Sequence, residues 1–174
     1  MNNIKKINLF LPTLYIVSII YTFLNQFFIL KFIQFHDTFS YLAIDPKFKI
    51  ANYPIDAQLM FYVPIFFNSI FPEILNYYML PLIFMSAGFF GIYYFLKRFH
   101  LNFYEKIFII LFLSLPACSI FASCYSKEAI LILGLGLFFT SMYDYYYNQM
   151  NLLVFFISFL IILVFKTEYT PIFV

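Results

Sequence analysis

Residues 74–96 read ILNYYMLPLIFMSAGFFGIYYFL, a run of 23 residues without a charge. At ~1.5 Å of rise per residue, such a helix is long enough to cross the ~30 Å hydrocarbon core of a bilayer with some tilt. Pro81 and Gly88 lie inside it. Membrane helices tolerate both, because neighbouring groups take up the freed backbone positions. The run closes on Lys97, Arg98 and His100. Working outward, Asn8–Leu30 is a second uncharged run of 23 residues, led by Lys5 and Lys6. A cleaved leader has a shorter apolar core and a small-residue cleavage site. Neither is present, so this run is expected to remain as a signal-anchor helix. Ile107–Phe121, interrupted by Pro116, then Ala129–Tyr143 and Leu152–Phe165 complete the set. The last has 14 residues and is expected to draw in Met150 and Asn151. The expected fold class is all-α: a polytopic helical membrane protein of about five transmembrane helices.

Composition agrees. Of 174 residues, 64% are hydrophobic and 10% charged, against roughly 45–50% and about 25% in soluble domains. A globular domain of this size cannot hide that much apolar surface. A soluble enzyme, a disordered chain and a secreted disulfide scaffold are therefore excluded. With 28 Phe, 16 Tyr and no Trp, tyrosine must be the interfacial anchor. A net charge of +2 is too small and scattered for nucleic acid. Cys118 and Cys124 have no metal-binding spacing and read as small packing residues.

One long polar stretch stands out: residues 31–58, KFIQFHDTFSYLAIDPKFKIANYPIDAQ. It is too polar for lipid and rich in aromatics, and long loops of this kind are usually functional or interfacial. Residues 59–72 follow, apolar but short, with Pro64 and Asn68 and closing on Pro72. Runs of about 10–14 residues more often lie at the interface than span. An interfacial helix flat on the membrane is expected there.

Orientation follows from the basic residues. With the N-terminus inside, Lys5, Lys6, Lys97, Arg98 and Lys106 cluster at inner helix ends. The outer Lys31, Lys47, Lys49, Lys127 and Lys166 are diluted by Asp37, Asp45, Asp56, Glu73, Glu128 and Glu168. The lead helix usually dominates, so a cytoplasmic N-terminus is expected. The 31–58 stretch, the Ser126-Lys127-Glu128 turn and the Lys166–Glu168 turn then fall together on the outer side.

Those turns hold the candidate chemistry. Ser126 fits an N-cap, and Glu128 suits the positive end of the helix that follows. Lys127 does not. Either this is a capped helix with a surface charge pair, or Lys127 faces an anion while Glu128 orients an acceptor or acts as a base. Asp37 and Tyr41 share a face if helical, and a partly desolvated Asp37 could serve as general base. His36, Asp37 and Asp45 could hold a metal, although three loosely spaced ligands are weak evidence. No metal and no cofactor is expected, and no nucleotide- or zinc-binding motif is present. The small-residue segment SLPACSIFASCYS, residues 114–126, packs closely or lines something polar, since Pro116 frees a carbonyl. Asp144, beside Tyr145, Tyr146 and Tyr147, reads as an interfacial anchor on the same helix face as Ser126.

The order of features resembles the N-terminal half of bacterial EpsG-like and Wzy-like polysaccharide polymerases, membrane glycosyltransferases of the broad GT-C type. The residues that carry the resemblance are Asp37-Thr-Phe-Ser-Tyr41, the short Pro-containing helix, Phe95-Leu-Lys-Arg-Phe99, Tyr125-Ser-Lys-Glu-Ala129 and Lys166-Thr-Glu-Tyr-Thr-Pro171. The chain departs from the family pattern at Lys166-Thr, where members have Arg/Lys-Pro. The resemblance implies transfer of polyprenyl-diphosphate-linked sugars to a growing glycan on the outer face of the inner membrane, with other glycan-assembly membrane proteins as partners. Asp37 and Glu128 are then the candidate catalytic carboxylates. Lys127, Lys166, Ser126, Tyr41 and His36 are the candidate substrate-binding residues. It also implies a single transmembrane domain, residues 1–174, belonging to a longer protein. The alternative is a small transporter-like or scaffold membrane subunit without catalysis. An ion path would need ionisable residues buried mid-span, whereas the charges here, Asp144 excepted, sit at helix ends and in loops.

Overall fold

The computed structural model describes residues 10–24, 42, 50, 53–113 and 125–165. Among the described residues every regular element is a helix: α1 (Phe10–Leu24), α2 (Ile55–Asn68), α3 (Glu73–Leu96), α4 (Phe103–Leu113), α5 (Lys127–Tyr146) and α6 (Leu152–Phe165). Of the five expected spans, two are long and apolar enough to cross a membrane, Tyr77–Leu96 within α3 and Lys127–Tyr146, which is α5. At 20 residues each they rise about 30 Å, the thickness of the hydrocarbon core. The described parts of the other three are shorter, at 15, 11 and 14 residues in α1, α4 and α6.

Local chemistry sets these boundaries. Asn102 and Glu105 form a reciprocal cap at α4: the Glu105 backbone N–H donates to Asn102 Oδ1 at 2.9 Å, and the Asn102 N–H donates to Glu105 Oε2 at 2.7 Å. α5 ends where Asn148 takes a left-handed φ of 56°. This lets the Gln149 N–H reach the Asp144 carbonyl at 2.8 Å and the Asn148 N–H reach that of Tyr145 at 3.0 Å. α6 does not extend back through Met150 and Asn151 as expected. Asn151 Oδ1 instead accepts from the Leu153 N–H at 3.0 Å and so caps the helix that begins at Leu152. α2 starts at Ile55, four residues inside the expected loop. Pro54 holds its entry, and Asp56 in the first turn complements the positive helix end.

α3, α5 and α6 form the centre, with α1 on the outer side of α3. α3 and α5 run parallel: Gly88 lies beside Ala129, Gly91 beside Leu133, Phe95 beside Phe139 and Arg98 beside Asp144. Their backbones touch at Gly91 and Gly136. A Cβ on Gly136 would lie 2.8 Å from Gly91 Cα, and one on Gly91 would lie 2.6 Å from Leu133 Cα. Glycine is required at both positions because no room exists for any side chain. α6 packs antiparallel on α5, with Gly134 against Ile161 and Phe138 against Phe155.

Buried hydroxyls are satisfied within this frame. Thr140 and Ser141 donate to the carbonyls four residues back, of Gly136 and Leu137, and Ser158 to that of Phe155. Thr22 of α1 meets Met85 Sδ of α3 at 2.8 Å.

Candidate functional site

α2 caps one end of this bundle. Its buried residues Ala57, Met60, Phe61 and Pro64 pack on the start of α3, through Leu80 and Phe84, and on Tyr125 and Ala129 at the start of α5. Leu42 from the polar stretch and Phe165 at the end of α6 join the same cluster.

Tyr125 is wholly buried, and its hydroxyl donates to the Met60 carbonyl at 2.7 Å. The reason lies in the sequence of α2. The Met60 carbonyl would ordinarily accept from residue 64, but Pro64 has no N–H. Tyr125 supplies the missing donor from another helix, with its ring edge-on to Phe84 at 4.5 Å. A buried carbonyl left without a partner would cost about 1–3 kcal/mol.

Beside this bond, Lys127 Nζ donates to Asp56 Oδ2 at 2.9 Å, across 71 residues of chain. The two side chains are 23% and 18% exposed, between a surface pair and a buried one. Removing one partner is therefore expected to cost about 1–3 kcal/mol, between the 0–1 of an exposed pair and the 3–5 of a buried one. Partial burial pushes the Asp56 carboxyl up. The Lys127 hydrogen bond, backbone N–H groups of the first turn and the lysine charge together outweigh it and hold the carboxyl below its ordinary 3.8. Asp56 is therefore a poor proton acceptor at neutral pH and a good anchor for an ammonium group.

The sequence-expected residues fare as follows. Ser126 occupies the N-cap of α5 in extended backbone, φ −147° and ψ 154°, and is buried, but its hydroxyl makes no cap hydrogen bond. Lys127 meets an anion, and that anion is Asp56 of the chain itself. Glu128 sits half-buried in the first turn of α5. His36, Asp37, Tyr41 and Lys166 lie outside the described residues, as do Asp45, Cys118 and Cys124.

Asp56 carries only a weak signal in the sequence, a lone acid two residues after a proline in a loop-like stretch. Pro64 is the stronger missed signal, since a proline inside a helix always orphans a carbonyl four residues earlier.

At the other end of α3 and α5, Asp144 is more than a lone interfacial anchor. Arg98 donates through Nη2 to Asp144 Oδ2 at 2.6 Å, and the guanidinium lies 5.5 Å from the Tyr94 ring centre. Arg98 Nε is buried without a hydrogen-bond partner. The two ion pairs thus lock α2 to α5 at one end of the bundle and α3 to α5 at the other. No protein-family model, curated protein or solved structure matches this chain.

Proposed function

We propose that this chain is a multi-pass protein of a bacterial inner membrane, with its N-terminus cytoplasmic, and that it acts as a membrane glycosyltransferase polymerising polyprenyl-diphosphate-linked sugars into surface glycan. The membrane part of this reading is supported by α6, LLVFFISFLIILVF, in which Ser158 and Ile162 are buried while Leu152, Leu153, Phe156 and Leu160 are exposed. Water does not tolerate so broad an apolar face, whereas lipid does. About five helices crossing the bilayer, with α2 covering the outer end, complete the arrangement.

The observation that carries the catalytic part is Lys127. It is a cation at the start of a membrane-length helix, held at the edge of the bundle by Asp56 and still 23% exposed. In glycosyl transfer an acceptor hydroxyl attacks the anomeric carbon, the bond to the diphosphate oxygen breaks, and the diphosphate leaves with the bonding electrons. Lys127 offsets the negative charge that develops on that leaving group. The hydroxyl proton goes to a carboxylate, for which Glu128 and Asp37 are the candidates. Asp56 is a positioning residue, since its carboxylate is engaged by the Lys127 ammonium group. Lys166, Tyr41, His36 and Ser126 are the further candidates for binding substrate.

A second reading, a scaffold subunit without catalysis, is favoured by the same contacts: the Asp56–Lys127 and Tyr125–Met60 bonds suffice to fasten α2 in place. Polyprenyl diphosphate binding separates the two. Purified protein is expected to retain this lipid in native mass spectrometry, and Lys127→Ala to weaken retention by about 10–100-fold, the worth of a charge-assisted bond of about 1.5–3 kcal/mol. Equal retention by wild type and Lys127→Ala would overturn the assignment of Lys127 and leave the scaffold reading.

A further inference from the structure

The end of the bundle opposite α2 carries a cavity of about 180 Å³ where α3 runs into α4. Lys97, His100 and Lys106 line it together with Leu96, Phe99 and Leu101. Two described carboxylates lie at this end, and both are engaged. Glu105 is turned back onto the Asn102 N–H, and Asp144 holds Arg98. Among the described residues neither lysine has an ion-pair partner, and Lys97, Arg98 and Lys106 leave this end with one positive charge more than Glu105 and Asp144 offset.

We infer that this cavity is a binding site for a phosphate-bearing anion, and that its occupant is the headgroup of an anionic phospholipid. The place of the cavity in the bundle separates lipid from free phosphate. The lining is mostly polar, with Tyr93 beside the two lysines and His100, as a phosphate group from either source requires. The cavity also opens where the apolar Tyr77–Leu96 segment ends, which is the depth of a headgroup. Beyond it α4 presents Phe103, Phe108 and Leu111, exposed by 71%, 69% and 63%, an apolar surface suited to the acyl chains of the same lipid. Basic pockets between membrane helices bind phospholipid headgroups through such cations. The inference rests on the membrane reading alone and is independent of the glycan chemistry at the other end.

The test uses the full chain purified in detergent and native mass spectrometry with phosphatidylglycerol or phosphatidylcholine as the probe. Wild type is expected to retain phosphatidylglycerol selectively. Each lysine near an anionic headgroup is worth about fivefold, so Lys97→Gln with Lys106→Gln is expected to cut that retention by about 25-fold. Lys97→Arg with Lys106→Arg keeps both charges and is expected to keep retention, which separates lost charge from lost folding. Undiminished selectivity in the double Gln variant would overturn the site. Inorganic phosphate at millimolar concentration is expected to compete poorly. Full displacement of the lipid by phosphate would overturn the lipid assignment in favour of a free anion.

Discussion

Gly136→Ala is expected to loosen the central helix pair. The added Cβ would stand 2.8 Å from Gly91 Cα and closer still to the Gly91 carbonyl group. Non-bonded carbons settle at about 3.5–4.0 Å, so α3 and α5 must part by about 1 Å. A gap of that size forfeits a quarter to a half of each dispersion contact along the seam, including Phe95 against Phe139. Overpacking of this kind costs about 1–3 kcal/mol, and backbone atoms cannot rotate away, which puts this case near the top of the range. Alanine returns up to about 1 kcal/mol of helix propensity over glycine, leaving a net loss of about 2 kcal/mol, or roughly 30-fold in the folding equilibrium. Gly134→Ala is the control. Its Cβ would meet Ile161 Cγ2 at 2.7 Å and Ile161 Cβ at 3.2 Å, atoms of a β-branched side chain with little freedom to turn in a helix but not of the α6 backbone. A loss smaller than that of Gly136→Ala, about 1 kcal/mol, is expected there, because the strain falls on one side chain and not on two backbones. Reversible unfolding in mixed SDS micelles, followed by helical circular dichroism, reads both. A Gly136→Ala protein as stable as wild type would refute the backbone contact and with it the parallel packing of α3 on α5.

Four further outcomes are expected. The unfolded Asp56 carboxyl takes up its proton near the ordinary 3.8 and the folded one only at lower pH, so the stability it lends is complete above that value and fades as pH falls below it. The stability difference between wild type and Asp56→Asn should accordingly be constant above about pH 5 and shrink towards pH 3 in the same unfolding assay. Arg98→Met leaves the buried Asp144 unpaired and should cost about 2–4 kcal/mol, whereas Arg98→Met with Asp144→Leu should recover most of that loss in a double-mutant cycle. Tyr125→Phe removes the donor to the Met60 carbonyl and should cost about 1–3 kcal/mol, read as a lower unfolding midpoint. A cysteine placed at Lys47, with Cys118 and Cys124 replaced, should react with an impermeant thiol reagent in intact cells; reaction only after lysis would reverse the proposed orientation.

Which features were legible from residues alone follows from the range of each interaction. Uncharged runs such as 74–96 announce helices because apolar length and the cost of an unsatisfied backbone leave no other structure. The start of α2 was hidden because Asp56 reads as a loop charge until the neighbouring Pro54 is taken as its entry residue. The cap of α6 is hidden for a related reason: Asn151 beside an apolar run looks like an extension of it, whereas an Asn there more readily accepts the first free N–H groups. Lys127 stands out in the sequence as a cation at the wrong end of a helix dipole, and its bond to Asp56 accounts for it. That partner lies 71 residues away, beyond any local pattern. The facing of Gly91 and Gly136 is likewise a matter of register between two helices, which neither helix carries alone.

The central claim is that the charge on Lys127 acts on a diphosphate and does more than fasten α2. Exchanging the pair, Asp56→Lys with Lys127→Asp, tests it most directly, because the exchange keeps an ion pair between α2 and α5 and moves the cation off the start of α5. The measurement is the chain length of surface glycan in cells whose only copy of the protein carries the exchange, beside its unfolding midpoint in detergent. The account predicts a midpoint close to that of wild type and far above that of Lys127→Asp alone, together with glycan that is not extended. Glycan of wild-type length in the exchanged protein would contradict it and leave the pair as a structural fastening only.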